Sequence, residues 1–271
     1  MLFIDTFLFN GDWITKLRLK YLSPFVDFFY VVEGRYTFSG KRKEALFKDI
    51  YAEWFEEYKD KVRFLVNEDS PMKNPWHEET WLRNLATGHI MADFAGKEYM
   101  VAYCDADEVY DIGRLPSKET LAELGKTRVI FPSMNLYYYR FTHRIADNLW
   151  LMPFFLHSSQ LTLDLNVNEI RVRKRRDGEP VNVMVLPESG WHFSYFAGIA
   201  EIRRKIQSFA HTDLNTERNV SDENIARALR EGVDLFRREI KIEVIPMTDG
   251  SHNYPAWFED FEKELETLQR A

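Results

Sequence analysis

The chain has 271 residues, 45% of them hydrophobic and 29% charged, enough to bury a full core within the size of one large α/β domain. With 36 Lys and Arg against 43 Asp and Glu the formal charge is −7, which excludes a protein whose main work is covering a phosphate backbone but leaves a small anionic ligand open. The lone Cys104 rules out an internal disulfide and points to a reducing compartment.

Met1 to Phe9 is apolar but has no basic n-region, contains Asp5 and is too short for a membrane span. It reads as a first strand, Leu2 to Phe9, stopping at Asn10-Gly11. Trp13, Leu17 and Tyr21 then fall on helical spacing, and Phe25 to Val32 is a second strand ending at Glu33-Gly34. Strand, helix, strand within about thirty residues is the βαβ unit of a parallel sheet, and the continuous apolar runs predict cover on both faces.

Val62 to Val66 reads as a third strand, Glu78 to Met91 as a helix, and Tyr99 to Cys104 as a buried central strand running into Asp105-Ala106-Asp107-Glu108. Arg128 to Tyr139 is β-like and rich in tyrosine, and Met152 to Leu165 and Val181 to Leu186 are further strands. After Gly190 helices are expected. Ser221 is an N-cap ahead of an Ile225, Leu229, Val233, Phe236 stripe, and Pro255 opens a last helix through Phe258, Phe261, Leu265 and Leu268. Without a repeat or linker, one unit spans residues 1–271. No membrane-length apolar segment occurs, so a soluble, cytoplasmic chain is expected, its oligomeric state open.

Ligands of open parallel sheets bind outside the carboxyl ends of the strands, where Asp105, Asp107 and Glu108 stand. Three acids within four residues repel one another unless a cation or hydrogen-bond donors neutralise them, and manganese or magnesium suits carboxylate oxygens. The other reading is an acidic loop capping a turn.

The run Ile4-Asp5-Thr6-Phe7-Leu8-Phe9-Asn10, then Val31-Val32-Glu33, Asp105-Ala106-Asp107-Glu108 and Gly190-Trp191-His192-Phe193-Ser194-Tyr195 come in the order and rough spacing of family-17 glycosyltransferases. The resemblance runs from about Leu2 to Phe236. That family includes the enzyme adding the bisecting N-acetylglucosamine to N-glycans and soluble bacterial and viral relatives; a chain without the N-terminal anchor and stem of the animal members is expected here. The resemblance implies a GT-A-like (Rossmann-like) α/β fold, mixed and mainly parallel, flanked by helices, with a helical C-terminal part. It implies a divalent metal (Mn2+ or Mg2+), a UDP-sugar donor, most simply UDP-N-acetylglucosamine, a glycan or glycoconjugate acceptor, and inversion at the anomeric carbon.

On that resemblance Asp107 is a direct metal ligand and Asp105 touches metal or ribose. His192 is either a third ligand or a packed core histidine. Glu33, Thr6, Phe7 and Asn10 are candidates for the base and ribose pocket, with a turn residue (Glu33) and a core residue (Phe7) as the alternatives. Arg83 and Asn84 orient the donor or the acidic motif, unless Arg83 forms only a surface ion pair. Glu188 and Asp147 are candidates for the general base from position alone. The basic run Arg171, Arg173, Lys174, Arg175 and Arg176 is a hairpin end or meets an anionic acceptor or membrane surface. Two rivals stand beside this reading: a nucleotidyltransferase, disfavoured because Asn10-Gly11-Asp12 is poor in glycine, and a non-catalytic carbohydrate- or nucleotide-binding protein.

Overall fold

The computed structural model describes residues 1–69, 72–173 and 181–270. Strand β1 (Leu2–Leu8) passes through helix α1 (Thr15–Leu22) to β2 (Phe28–Gly34), which lies beside it in parallel with Thr6 opposite Tyr30. The short α2 (Phe47–Ile50) and two 3-10 turns lead to β3 (Val62–Asn67), parallel to β2. Helix α3 (Pro75–Asp93) then returns the chain to β4 (Tyr99–Asp105), parallel to β1 on its other side. It starts three residues before the expected Glu78, because the Asn74 side chain caps the Trp76 amide at 2.9 Å and Pro75 stands at the first helical position.

Beyond β4 come β5 (Glu108–Tyr110), α4 (Lys118–Gly125), β6 (Val129–Pro132), β7 (Met134–Tyr138), β8 (His143–Trp150), β9 (Phe154–His157) and α5 (Val167–Arg171). After them follow β10 (Val183–Leu186), β11 (Gly190–Ser194), α6 (Ile199–Ser208), α7 (Asp222–Glu231), β12 (Ile242–Val244) and α8 (Phe258–Arg270). Among the described residues seven strands form the main sheet in the order β10-β6-β9-β4-β1-β2-β3, with only β9 running against its neighbours, and five form a second sheet, β12-β8-β7-β11-β5. The fold is therefore α/β and mainly parallel.

Alternation along β1 and β4 explains the layering. Phe3, Phe7, Met100 and Ala102 face one apolar layer with α1, α4 and α8, while Ile4, Val101 and Tyr103 face another with α3 and α5. Cys104, the lone cysteine, is buried in the first layer, and its burial pushes the thiol pKa well up. A third cluster joins Leu136 and Ile145 of the second sheet to Ile202, Ile206, Ile225 and Leu229 of α6 and α7.

Several expected boundaries change. Arg128 to Tyr139 is not one strand: it divides at Ser133, whose amide and carbonyl bond to Leu186 and Ser189, and its halves enter different sheets. The Met152 to Leu165 strand shortens to β9, and β11 and β12 interrupt the expected helical C-terminal part. Ser221 does cap α7, but Gly232 at φ 61° ends that helix, so Val233 and Phe236 lie beyond it. Among the described residues no helix is long and apolar enough to cross a membrane.

Candidate active site at the end of the fourth strand

The acidic motif is a turn between β4, in the main sheet, and β5, in the second. Glu108 folds back so that its Oε2 accepts the Asp105 amide at 2.6 Å, and its Oε1 accepts the Trp150 indole at 2.5 Å. Beneath the turn lies a wholly buried ion pair: Arg18 of α1 grips Asp5 of β1 through Nε to Oδ1 at 3.2 Å and Nη2 to Oδ2 at 2.5 Å. Arg18 Nη1 also donates to the carbonyls of Asp105, at 3.2 Å, and of Glu108. Burial opposes the Arg18 charge, but Asp5 outweighs it and holds the guanidinium pKa above its ordinary value.

The motif's charges are met by the chain's own cations. Arg83 reaches Asp105 Oδ1 at 2.5 Å, and Arg171 reaches Asp105 Oδ2 at 2.8 Å and Glu108 Oε1 at 3.0 Å. Burial works against an ionised Asp105, yet Arg171 and Arg83 prevail and hold its pKa at about 2. Asp107 is buried as well, and Lys205 at 2.7 Å with His192 at 3.5 Å keeps its carboxyl below the ordinary range despite that burial. Mutual repulsion of the acids therefore does not by itself call for a metal; the donor geometry has to carry that argument.

Strand β11 brings His192 to this point. It pairs antiparallel with β5, His192 opposite Glu108, and the Phe193 amide donates to the Asp107 carbonyl at 2.8 Å. Gly190 permits the approach, since a Cβ there would lie 2.6 Å from the Val109 carbonyl oxygen and 2.8 Å from Tyr110 Cα. The His192 ring packs on Trp150 with centroids 4.4 Å apart, Nε2 lies 3.1 Å from Ser194 Oγ, and among the described residues Nδ1 has no hydrogen-bond partner. Asp107 Oδ1 and His192 Nε2 together offer one oxygen and one nitrogen to a cation such as manganese. Among the described residues no three His, Cys, Asp or Glu side chains are grouped to hold a metal, so such a cation would need ligand or water oxygens to complete its shell.

Asn10, Arg83, Asp105, Asp107 and His192 all border one cleft of about 690 Å³, with Asn10 bonded through Nδ2 to Ser208 Oγ at 2.6 Å. Other expected site residues stand elsewhere. Glu33 is buried, and its carboxylate takes the Phe47 and Lys48 amides at 2.7 and 3.0 Å and Lys43 at 2.8 Å, so it caps α2 instead of facing the cleft. Phe7 is core, beneath the Arg18 guanidinium at 4.9 Å, and Thr6 is buried at a small void beside Arg83 and Tyr103. Asn84 Oδ1 accepts the Val167 amide at 3.0 Å and so fixes the start of α5, the helix that carries Arg171.

Neither expected base lies on the cleft. Glu188 is exposed, at φ 46°, and pairs with Arg114 at 2.8 Å; Asp147 is exposed, at φ 52°, within β8 and not in a loop. Among the described residues the acids that border the cleft are Asp12, Glu79, Asp105 and Asp107. Arg171 leaves the basic run to enter the site and Arg173 bonds the Leu151 carbonyl at 2.8 Å, while Lys174, Arg175 and Arg176 lie outside the described residues. Sequence reasoning missed Asp12, Glu79, Lys205, Trp150 and the Asp5–Arg18 pair. Only the last had a local signal, and only on one side, in the acid Asp5 set inside the apolar run of β1.

Comparison with known proteins follows the same lines. The family model described as Glycosyltransferase family 17 matches residues 3–240. Among solved structures, that of S. aureus TarS 1-349 aligns at 13% identity over 85% of this chain and 70% of that one, with a TM-score of 0.40. No curated protein matches.

Proposed function

The chain belongs to glycosyltransferase family 17 and is a glycosyltransferase, and from that premise we propose that the cleft transfers N-acetylglucosamine from UDP-N-acetylglucosamine to a glycan hydroxyl with inversion. The observation carrying this reading is the convergence of Asp107 and His192, 85 positions apart in sequence, on one wall of the cleft at the end of β4. The donor sugar is an expectation from the family, and the cleft residues supply the roles around it.

In-line displacement at the anomeric carbon releases a nucleoside diphosphate whose growing charge must be neutralised. A divalent cation held by Asp107 and His192 would supply that neutralisation as a Lewis acid. Arg83 and Arg171 keep Asp105 ionised and fix its direction, so the wall is ordered before the donor arrives. Trp150 and Tyr138 line the cleft and exclude water from the reacting face. The acceptor proton needs a carboxylate within hydrogen-bond reach. Glu79 is our choice, because its bonds to Arg83 both fall on Oε1, at 3.2 and 3.1 Å, whereas Asp105 and Asp107 are engaged on both oxygens; Asp12, with Lys205 on Oδ1, is the second candidate.

A UDP-release assay over a panel of UDP-sugars, with manganese and with a chelator, tests the reading. UDP-N-acetylglucosamine should be turned over fastest, with NMR reporting inverted anomeric configuration in the product. Preference for another sugar overturns the donor, and no release with any nucleotide sugar overturns the site.

A further inference from the structure

Lys205 enters the cleft from α6. Its ammonium lies 2.9 Å from Asp12 Oδ1 and 2.7 Å from Asp107 Oδ2, over the Tyr195 ring at 5.9 Å, with 26% of the side chain exposed. The helix beneath it is fixed. Ile202 and Ile206 are wholly buried, and Arg204 ties α6 to the Gly11 carbonyl at 2.8 Å and the Tyr51 hydroxyl at 2.9 Å. The Asp107 carboxylate is thus shared, one oxygen carrying a protein cation and the other facing His192.

Among the described residues the other cleft cations are committed elsewhere. Arg83 and Arg171 hold Asp105, and Arg238 is tied to Asp234 at 2.7 Å and the Tyr138 hydroxyl at 2.9 Å. An ammonium has three donors, and Asp12 and Asp107 take two. Its neighbours on the wall are the same Asp107 and His192 that would face the diphosphate.

We infer that Lys205 binds the phosphate oxygens of a nucleoside diphosphate directly, so that the site retains nucleotide without a metal and a divalent cation adds to that affinity instead of creating it. This rests on the donor reading above. A lysine ammonium is a compact charge suited to phosphate, and its fixed helix means little is lost in ordering it when the ligand arrives.

Isothermal titration of the full chain with UDP and with uridine, in chelator and in manganese, tests the inference. The wild type should bind UDP in chelator and more tightly in manganese. Lys205→Gln should weaken UDP binding in chelator by roughly ten- to hundredfold, the loss of one charge-assisted bond, while uridine binding holds and the manganese increment survives. Lys205→Arg should recover most of the lost affinity. Equal UDP affinity of wild type and Lys205→Gln in chelator, parallel loss of UDP and uridine, or wild-type binding of UDP only in manganese would each overturn the role of Lys205 while leaving the donor reading in place. A wild type that binds UDP in neither buffer overturns the donor reading itself.

Discussion

Replacing Arg18 with Met should separate the support of the acidic motif from the stability of the fold. The substitution strips a fully buried Asp5 of its cation and removes the donor to the Asp105 and Glu108 carbonyls. Breaking one side of a buried pair costs about 3–5 kcal/mol, a large share of the roughly 5–15 kcal/mol that holds a domain folded. The deficit should grow with pH. Burial raises the Asp5 carboxyl pKa against the opposing pull of Arg18, and the variant loses that pull, keeping only the lesser one of the Tyr110 hydroxyl. A carboxyl whose folded pKa is raised contributes stability below its unfolded pKa and loses it as pH climbs through the folded one, so the variant should fall furthest behind the wild type towards neutral pH. The double variant Arg18→Met with Asp5→Leu removes both charges and should return to within about 2 kcal/mol of the wild type. It still lacks the guanidinium that pins the turn, so its UDP affinity should stay down by roughly tenfold. Urea unfolding and titration with UDP read the two effects separately. A double variant that binds UDP like the wild type would refute the argument that Arg18 positions the motif.

Three further outcomes are expected. Gly190→Ala should cost about 1–3 kcal/mol in thermal or urea unfolding, because the added Cβ meets backbone of β5 that has no room to yield; an unchanged melting temperature would contradict that contact. Asp107→Ala should abolish the manganese-dependent part of UDP binding and turnover while circular dichroism keeps its folded signature, and unchanged turnover would remove Asp107 from the site. Glu79→Gln should lower turnover by about 10²-fold or more with UDP affinity within a few-fold, whereas normal turnover would send the search for the base to Asp12.

The parts of this fold carried by local pattern were legible. The β1–α1–β2 unit, β4 leading into its acids and the Ser221 cap all follow from period, propensity and capping chemistry. The division at Ser133 was not, because period-two alternation says which residues are buried but not in which sheet. The site divides in the same way. Asp105, Asp107 and His192 announced themselves by motif, while Lys205 and Arg171 are basic residues in charged stretches whose importance comes from partners 98 and 66 positions away. Glu33 shows the reverse: an acid at a strand end looks like a ligand-binding group until the amides of α2 are found on both its oxygens.

Cys104 ends the buried part of β4, one residue before Asp105, with its thiol sealed in the core and its pKa driven up by that burial. The folded chain should therefore be silent to alkylating reagents, and each labelling event should count a molecule in which the strand bearing the acidic motif has opened. With one cysteine in the sequence, no background site competes, and intact mass separates opened from closed molecules without an added probe. A nucleotide seated on that strand's end would slow the labelling in proportion to its occupancy, which turns an inert side chain into a ligand-screening clock.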